Sequence, residues 1–175
     1  PNREQSGVGA ALTLHSGLRV NAEPVEPRLT GDGNGLYPVT AYSVEGTPGD
    51  SCILALEHLV GKVDLVVSGI NAGSNLGWDV MVSGTVGAAI QGYVRGYPTI
   101  AISVGAVFNP QFDGASRLLQ MMVQRLSDSP LNSSCFLNVN VPSMALEHII
   151  GLRVTEMGGR SYGESVREEG AGEDK

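Results

Sequence analysis

Three short, apolar-rich segments constrain this chain most: 64–68 (Asp-Leu-Val-Val-Ser), 99–104 (Thr-Ile-Ala-Ile-Ser-Val) and 136–141 (Phe-Leu-Asn-Val-Asn-Val). The first is nearly continuous, and it and the second suit strands covered on both faces, as in a parallel sheet, while the third reads as a further strand stopped by Pro142. Each is preceded or followed by a stretch with helical spacing. Cys52, Ile53, Leu56, Leu59 and Val60 recur at that spacing after the turn Thr47-Pro48-Gly49-Asp50, where Asp50 reads as a helix cap. Ser83 to about Arg95 carries Val86, Ala89, Ile90, Tyr93 and Val94 on one side. Ser116 to Leu126 carries Leu118, Leu119, Met122, Val123 and Leu126. Alternating helices and buried strands predict an α/β fold: a mostly parallel, Rossmann-like sheet with right-handed crossovers, flanked by helices.

The first 45 residues follow a different pattern. Leu12-Thr13-Leu14 and Leu18-Arg19-Val20 read as short strand pieces, and a turn at 31–35 (Gly-Asp-Gly-Asn-Gly) precedes a strand from Tyr37 to Val44. An antiparallel hairpin appended to the parallel sheet is expected. The predicted organisation is one domain over residues 1–160, followed by a polar tail at 161–175 that is mobile or reaches a partner chain.

Composition removes several classes of function. Lys and Arg number 11 against 18 Asp and Glu, a net charge of −7, so no basic stripe exists for a nucleic-acid duplex. No apolar run reaches the ~18 residues of a membrane helix, and Pro1 to Ser6 lack the apolar core of a signal peptide. Cys52 and Cys135 have no metal-ligand spacing and read as buried thiols of a cytoplasmic protein. Glycine is enriched, at 24 of 175 residues, but without the period of collagen.

Much of that glycine lies where a parallel sheet places its ligands, beyond the carboxyl ends of strands. Residues 68–77 (Ser-Gly-Ile-Asn-Ala-Gly-Ser-Asn-Leu-Gly) follow the first apolar run and let a ligand approach the backbone, with Asn71 and Asn75 as polar groups. Ser83-Gly84-Thr85 opens the next helix, where unpaired N–H groups, two hydroxyls and the helix dipole favour an anion. The plain alternatives are a tight turn for the first segment and a helix cap for the second. On one βα unit, together, they point to a phosphate or carboxylate site. Gly7-Val8-Gly9 begins like a dinucleotide-binding turn but lacks the third glycine and a preceding strand, which disfavours a dehydrogenase domain. His15, His58 and His148 are scattered, and His15 is a general-acid candidate only by its reach from the Ser6 loop.

Three blocks, 46–52 (Gly-Thr-Pro-Gly-Asp-Ser-Cys), 67–77 and 82–86 (Val-Ser-Gly-Thr-Val), resemble the SurE family of stationary-phase survival proteins. The opening Pro1-Asn2-Arg3-Glu4-Gln5-Ser6-Gly7 is similar to that family's loop after its second strand, and 137–142 and 152–155 match in order. The resemblance implies a metal-dependent phosphomonoesterase that hydrolyses nucleoside 5′- or 3′-monophosphates, with a metal-bound water as nucleophile. It implies Mg²⁺ or Mn²⁺ held by two adjacent aspartates, by Ser6 and by Asn71, and a substrate phosphate against Asn75, Ser83, Gly84 and Thr85. Hard oxygen donors of this kind suit either ion. It also implies a cytoplasmic homodimer or homotetramer, with a C-terminal extension taking part in oligomerisation.

Departures from the family pattern carry expectations of their own. No Asp-Asp pair occurs in the 175 residues, so the aspartates and the leading strands of the sheet are expected before Pro1. A natural chain starting at Pro1 would instead be a non-catalytic phosphate- or nucleotide-binding module. Ser51 stands where the family usually has Cys, and Gly9-Ala10-Ala11 replaces a more polar stretch.

Overall fold

The structure is a computed structural model, and it describes residues 1–25, 28–29, 36–37, 39–129 and 135–159. The turn expected at 31–35 and the tail at 161–175 lie outside the described residues. In chain order the elements are strands β1 (Val20–Glu23), β2 (Arg28–Leu29), β3 (Leu36–Tyr37) and β4 (Ala41–Val44), helix α1 (Pro48–Leu54), and strand β5 (Val66–Ala72). Helix α2 (Gly84–Tyr93), strand β6 (Thr99–Val104), helix α3 (Asp113–Asp128) and strand β7 (Phe136–Val141) follow. A π-helical turn at Ala55–Leu59 extends α1, and 3₁₀ turns occupy Gly77–Val82 and Leu146–His148.

The predicted parallel sheet is present, in the order β5-β6-β7. All six residues of β6 are 0% exposed, so the whole strand is buried. Its alternation feeds two cores. Ile100, Ile102 and Val104 pack with Ala115 and Leu118 of α3 and Val141 of β7. Ala101 packs on the opposite face with Val86 and Ala89 of α2.

Helix α2 departs from the expected stripe. Val86 and Ala89 are buried, but Val94 is 64% exposed and Ile90 and Tyr93 are partly exposed. The buried set is instead Gly84, Val86, Gly87, Ala88, Ala89 and Gly92. Small residues are needed because α2 is covered on more than one side: by the sheet, by α1 and by the N-terminal segment. A Cβ on Gly87 would collide with the Gly9 carbonyl oxygen. Tyr93 uses its ring edge-on against Phe136, at 5.8 Å between centroids.

Four further expectations are corrected. Strand β5 starts at Val66 rather than Asp64 and runs on to Ala72, through residues that read as loop. Gly69 makes this possible: its φ is +126°, and its missing Cβ admits the Ile102 carbonyl oxygen of β6. A register shift between Ser68 and Asn71 absorbs the irregularity, and a cis peptide joins Gly69 to Ile70. The hairpin forms two small antiparallel sheets of its own, β1-β4 and β2-β3, and among the described residues neither pairs with a strand of the parallel sheet. Leu12–Leu14 is not a strand, because Thr13 is drawn into hydrogen bonds with α1. The two cysteines are only partly buried, and both are free.

Asp50 proves to be the centre of a small polar knot. Thr47 is the N-cap of α1 and accepts from the Asp50 N–H, while the Asp50 carboxylate accepts from the Thr47 N–H at 2.9 Å. The same carboxylate accepts from the Thr13 N–H at 2.9 Å and the Thr13 hydroxyl at 2.7 Å. Thr47 also donates its hydroxyl to the Ala11 carbonyl at 2.7 Å. The N-terminal segment is thereby tied to α1. Burial pushes the Asp50 carboxyl up, but hydrogen bonding by Thr13 and Thr47 outweighs it and holds the group below its ordinary value.

A depressed carboxyl contributes stability that is present above its unfolded-chain pKa and lost as pH falls through the lower folded value. Asp50→Ala should cost about 2 kcal/mol in denaturant unfolding at neutral pH. The deficit relative to the unsubstituted protein should shrink at pH values below the ordinary Asp range, near 3.9.

Candidate functional site

A cleft of about 570 Å³ opens beside the second half of β5 and the start of α2. Its walls come from four stretches distant in sequence: Pro1 with Arg3 to Gly7, Pro48 at the start of α1, residues 68–71 with Asn75, and Asp79 with Val82 to Thr85. All six residues singled out from the sequence, Ser6, Asn71, Asn75, Ser83, Gly84 and Thr85, line it. Their convergence follows from the packing already described. Asn2 N–H donates to Val44 O at 2.7 Å and Gly9 N–H donates to Val82 O at 2.8 Å, pinning both ends of the Ser6 loop. A Cβ on Gly84 would lie 3.0 Å from the Gln5 carbonyl oxygen, so the loop rests directly on the first turn of α2.

The helix end has the polarity of an anion site. Ser83 is the N-cap, and its Oγ accepts from the Val86 N–H at 3.2 Å. The hydroxyl proton of Ser83 remains able to donate, as does the half-exposed Thr85 hydroxyl. The N–H groups at 84 and 85 have no intrahelical acceptor, as at any helix start, and the dipole adds partial positive charge there.

The opposite wall presents oxygen donors. Asn71 donates its Nδ2 to the Gly73 carbonyl at 2.8 Å, which leaves Oδ1 as an acceptor or ligand. Ser6 donates both its N–H, at 3.0 Å, and its hydroxyl to the Glu4 carboxylate. Glu4 and Asp79 are the carboxylates of the lining and Arg3 is its cation. The donor set is hard oxygen throughout, the kind Mg²⁺ and Mn²⁺ prefer. Among the described residues no cluster of three or more His, Cys, Asp or Glu could hold a metal. Ser6 and Asn71 thus fit as neutral members of a metal site whose charge must come from carboxylates.

Asn75 lines the cleft and is 6% exposed, yet most of its polar groups face the sheet. Its N–H donates to Asn140 Oδ1 at 2.8 Å, and its Nδ2 donates to Ser103 Oγ at 2.7 Å. Its carbonyl accepts from Asn138 Nδ2 at 2.9 Å and Asn140 Nδ2 at 3.1 Å. The second proton of Nδ2 is the donor that Asn75 has left for a ligand. The sequence reading passed over Ser103, Asn138 and Asn140. The available signal was two asparagines two residues apart in a buried strand, which places both amides on one face.

Other candidates fall away from the cleft. His15 is exposed and does not line it. Asp50 caps α1 and does not line it either. Gly7 and Gly9 sit in an irregular loop, with no helix following, so no dinucleotide-binding turn forms there. Burial pushes the Cys52 thiol up, despite the nearby Arg95 charge, which keeps it protonated at neutral pH.

Removing the Ser83 cap should be measurable independently of any ligand. Ser83→Ala should lower unfolding free energy by about 1 kcal/mol, read by urea denaturation, whereas Ser83→Asp should retain most of it.

Comparison with known proteins agrees with the resemblance. A family model described as survival protein SurE matches residues 1–164. A 5′-nucleotidase SurE of Dehalococcoides mccartyi is 42% identical over 171 residues, covering 96% of this chain and 61% of the relative. One from Gloeobacter violaceus is 45% identical over 164 residues, covering 93% and 59%. The crystal structure of the SurE protein from Aquifex aeolicus superposes with a TM-score of 0.73 at 34% identity, over 90% of this chain and 59% of that one. The chain therefore spans about three fifths of the length of the relatives it matches. With the family model covering nearly the whole sequence and the α/β fold shared, this chain belongs to the SurE family.

Proposed function

We propose that the cleft binds the phosphate of a nucleoside 5′- or 3′-monophosphate and serves its hydrolysis to nucleoside and inorganic phosphate, with Mg²⁺ or Mn²⁺ as cofactor. The observation that carries this reading is the meeting of the Ser6 loop, Asn71 and the start of α2 around one cleft. Relatives at 42% and 45% identity bear the name 5′-nucleotidase, which supports the same reaction class here.

The residues divide the work by chemistry. Ser6 Oγ and Asn71 Oδ1 would hold the ion, together with carboxylates. When bound, the ion supplies charge neutralisation of the phosphoryl group and activation of the attacking water. The N–H groups of Gly84 and Thr85 and the hydroxyls of Ser83 and Thr85 orient the phosphate. They also stabilise charge on its equatorial oxygens as the bond to the leaving oxygen lengthens. Arg3, on the facing loop, adds positive charge for a dianionic substrate.

Cytoplasmic location and a homodimeric or homotetrameric state belong to the same proposal. No described helix is long and apolar enough to cross a membrane. Sedimentation of the full family-length protein tests the assembly.

Phosphate release from nucleoside monophosphates, with and without chelator, tests the reaction. Release should require Mg²⁺ or Mn²⁺, and activity unchanged in excess chelator would sink the metal role. Asn71→Ala should weaken Mn²⁺ binding roughly tenfold or more, while Ser83→Ala should act mainly on substrate affinity. Phosphate binding without turnover would point instead to a non-catalytic binding module.

A further inference from the structure

The four hydrogen bonds around Asn75 form a pattern that neither the fold nor the cleft requires. Strand β7 sends Leu137, Val139 and Val141 to the core shared with α3. Its other face carries Asn138 and Asn140, and in register Asn140 lies beside Ser103 of β6. On this side α2 covers Ala101 and Phe136, the earlier part of the sheet. At the carboxyl end the helix is replaced by the loop after β5, and the sheet's side chains change from apolar to polar. The Asn140 amide accepts from the Asn75 N–H at 2.8 Å and donates to the Asn75 carbonyl at 3.1 Å. It pairs with both backbone groups of that one residue, as a residue of a neighbouring antiparallel strand would. Asn138 adds a second donor to the carbonyl, and the fully buried Ser103 hydroxyl takes the side-chain amide.

This clamp acts on a cleft wall that β7 itself does not line. Asn71 and Asn75 are the two polar ends of the loop. Gly73 between them is held by its N–H on the Val104 carbonyl at 2.9 Å, and Asn71 is held on the Gly73 carbonyl. Fixing Asn75 on β6 and β7 therefore fixes the orientation in which Asn71 Oδ1 and the remaining Asn75 N–H face the cleft.

We propose that Asn140, seconded by Asn138 and Ser103, is a positioning residue that presets the Asn71–Asn75 wall for a phosphate group and its metal. The proposal rests on the phosphate-site reading given above. Because two donors share the Asn75 carbonyl, losing Asn138 alone is tolerated, whereas losing Asn140 also orphans the Asn75 N–H.

The test uses the 175-residue chain and compares Asn140→Leu, Asn140→Asp, Asn138→Ala and the Asn138→Ala/Asn140→Leu pair. Asp50→Ala serves as a variant destabilised in α1, at a residue outside the cleft lining. Inorganic phosphate binding in the presence of Mn²⁺ is measured by calorimetry, well below every thermal transition, and hydrogen exchange is followed at residues 71–75. Asn140→Leu should weaken phosphate binding roughly tenfold and speed exchange at the loop. Asn140→Asp keeps the acceptor for the Asn75 N–H and should lose about threefold; Asn138→Ala should lose less than that. The pair should lose more than the sum of the single changes. Asp50→Ala should lower Tm and leave phosphate affinity at the unsubstituted level. Equal affinity in Asn140→Leu and the unsubstituted chain would overturn the clamp while leaving the site reading intact. An equal loss in Asp50→Ala would overturn it too, by assigning the effect to global stability. An unsubstituted chain that binds no phosphate would overturn the site reading itself, and with it the clamp's role.

Discussion

Strand β6 is the member on which the other parts depend. It is hydrogen-bonded to parallel neighbours on both sides and buried along its whole length. A strand so enclosed has no polar side to offer solvent, so its residues must be apolar or small, and any hydroxyl must find a partner. Thr99 donates to the Tyr97 carbonyl at 3.0 Å, and Ser103 receives the Asn75 amide at 2.7 Å. The alternation along β6 sends one set of side chains to α3 and the other to α2, and only at its last turn of alternation does it reach the cleft loop. The site is thus built where the second helix layer stops covering the sheet.

The N-terminal segment reaches the same place by a different route. It has little regular structure, and it is held instead by individual hydrogen bonds: to Val44, to Val82, and through Ala11 and Thr13 to the knot at Thr47 and Asp50. Gly87 lets this segment lie flat on α2. Ser6 therefore faces Asn71 and the helix start across the cleft, although 65 residues or more separate them in sequence. A hydrogen-bonded segment of this kind is stable only while its buried polar partners remain complete.

Strands β6 and β7 were legible to the residue, since short runs rich in apolar and β-branched residues and bounded by proline have few other readings. The N-terminus of α2 was legible as well, because Ser83 has the side chain of a cap and glycine follows it. The end of β5 was not. Gly69 and Gly73 read as turn residues, and only the nearby Ile102 carbonyl shows why glycine is needed inside a continuing strand. The stripe on α2 was misread for a related reason: its periodicity marked Ile90, Tyr93 and Val94 as inward, but the helix is packed through its glycines and alanines. Asn138 and Asn140 looked like polar interruptions of a core strand, because their partner, the Asn75 peptide, lies more than 60 residues earlier.

By itself the sequence determined the α/β class, the position of most strands along the chain, and the residues that come to line the cleft. Those follow from local periodicity, capping chemistry and motif spacing, which are properties of neighbours along the chain. The tertiary structure decided which surfaces meet. It carried β5 past its glycines, brought the Ser6 loop onto α2, and turned the asparagines of β7 toward Asn75 rather than toward solvent. Each of these depends on close approach between distant backbones or on a hydrogen-bond partner supplied from another element. Such contacts leave no periodic trace in the sequence.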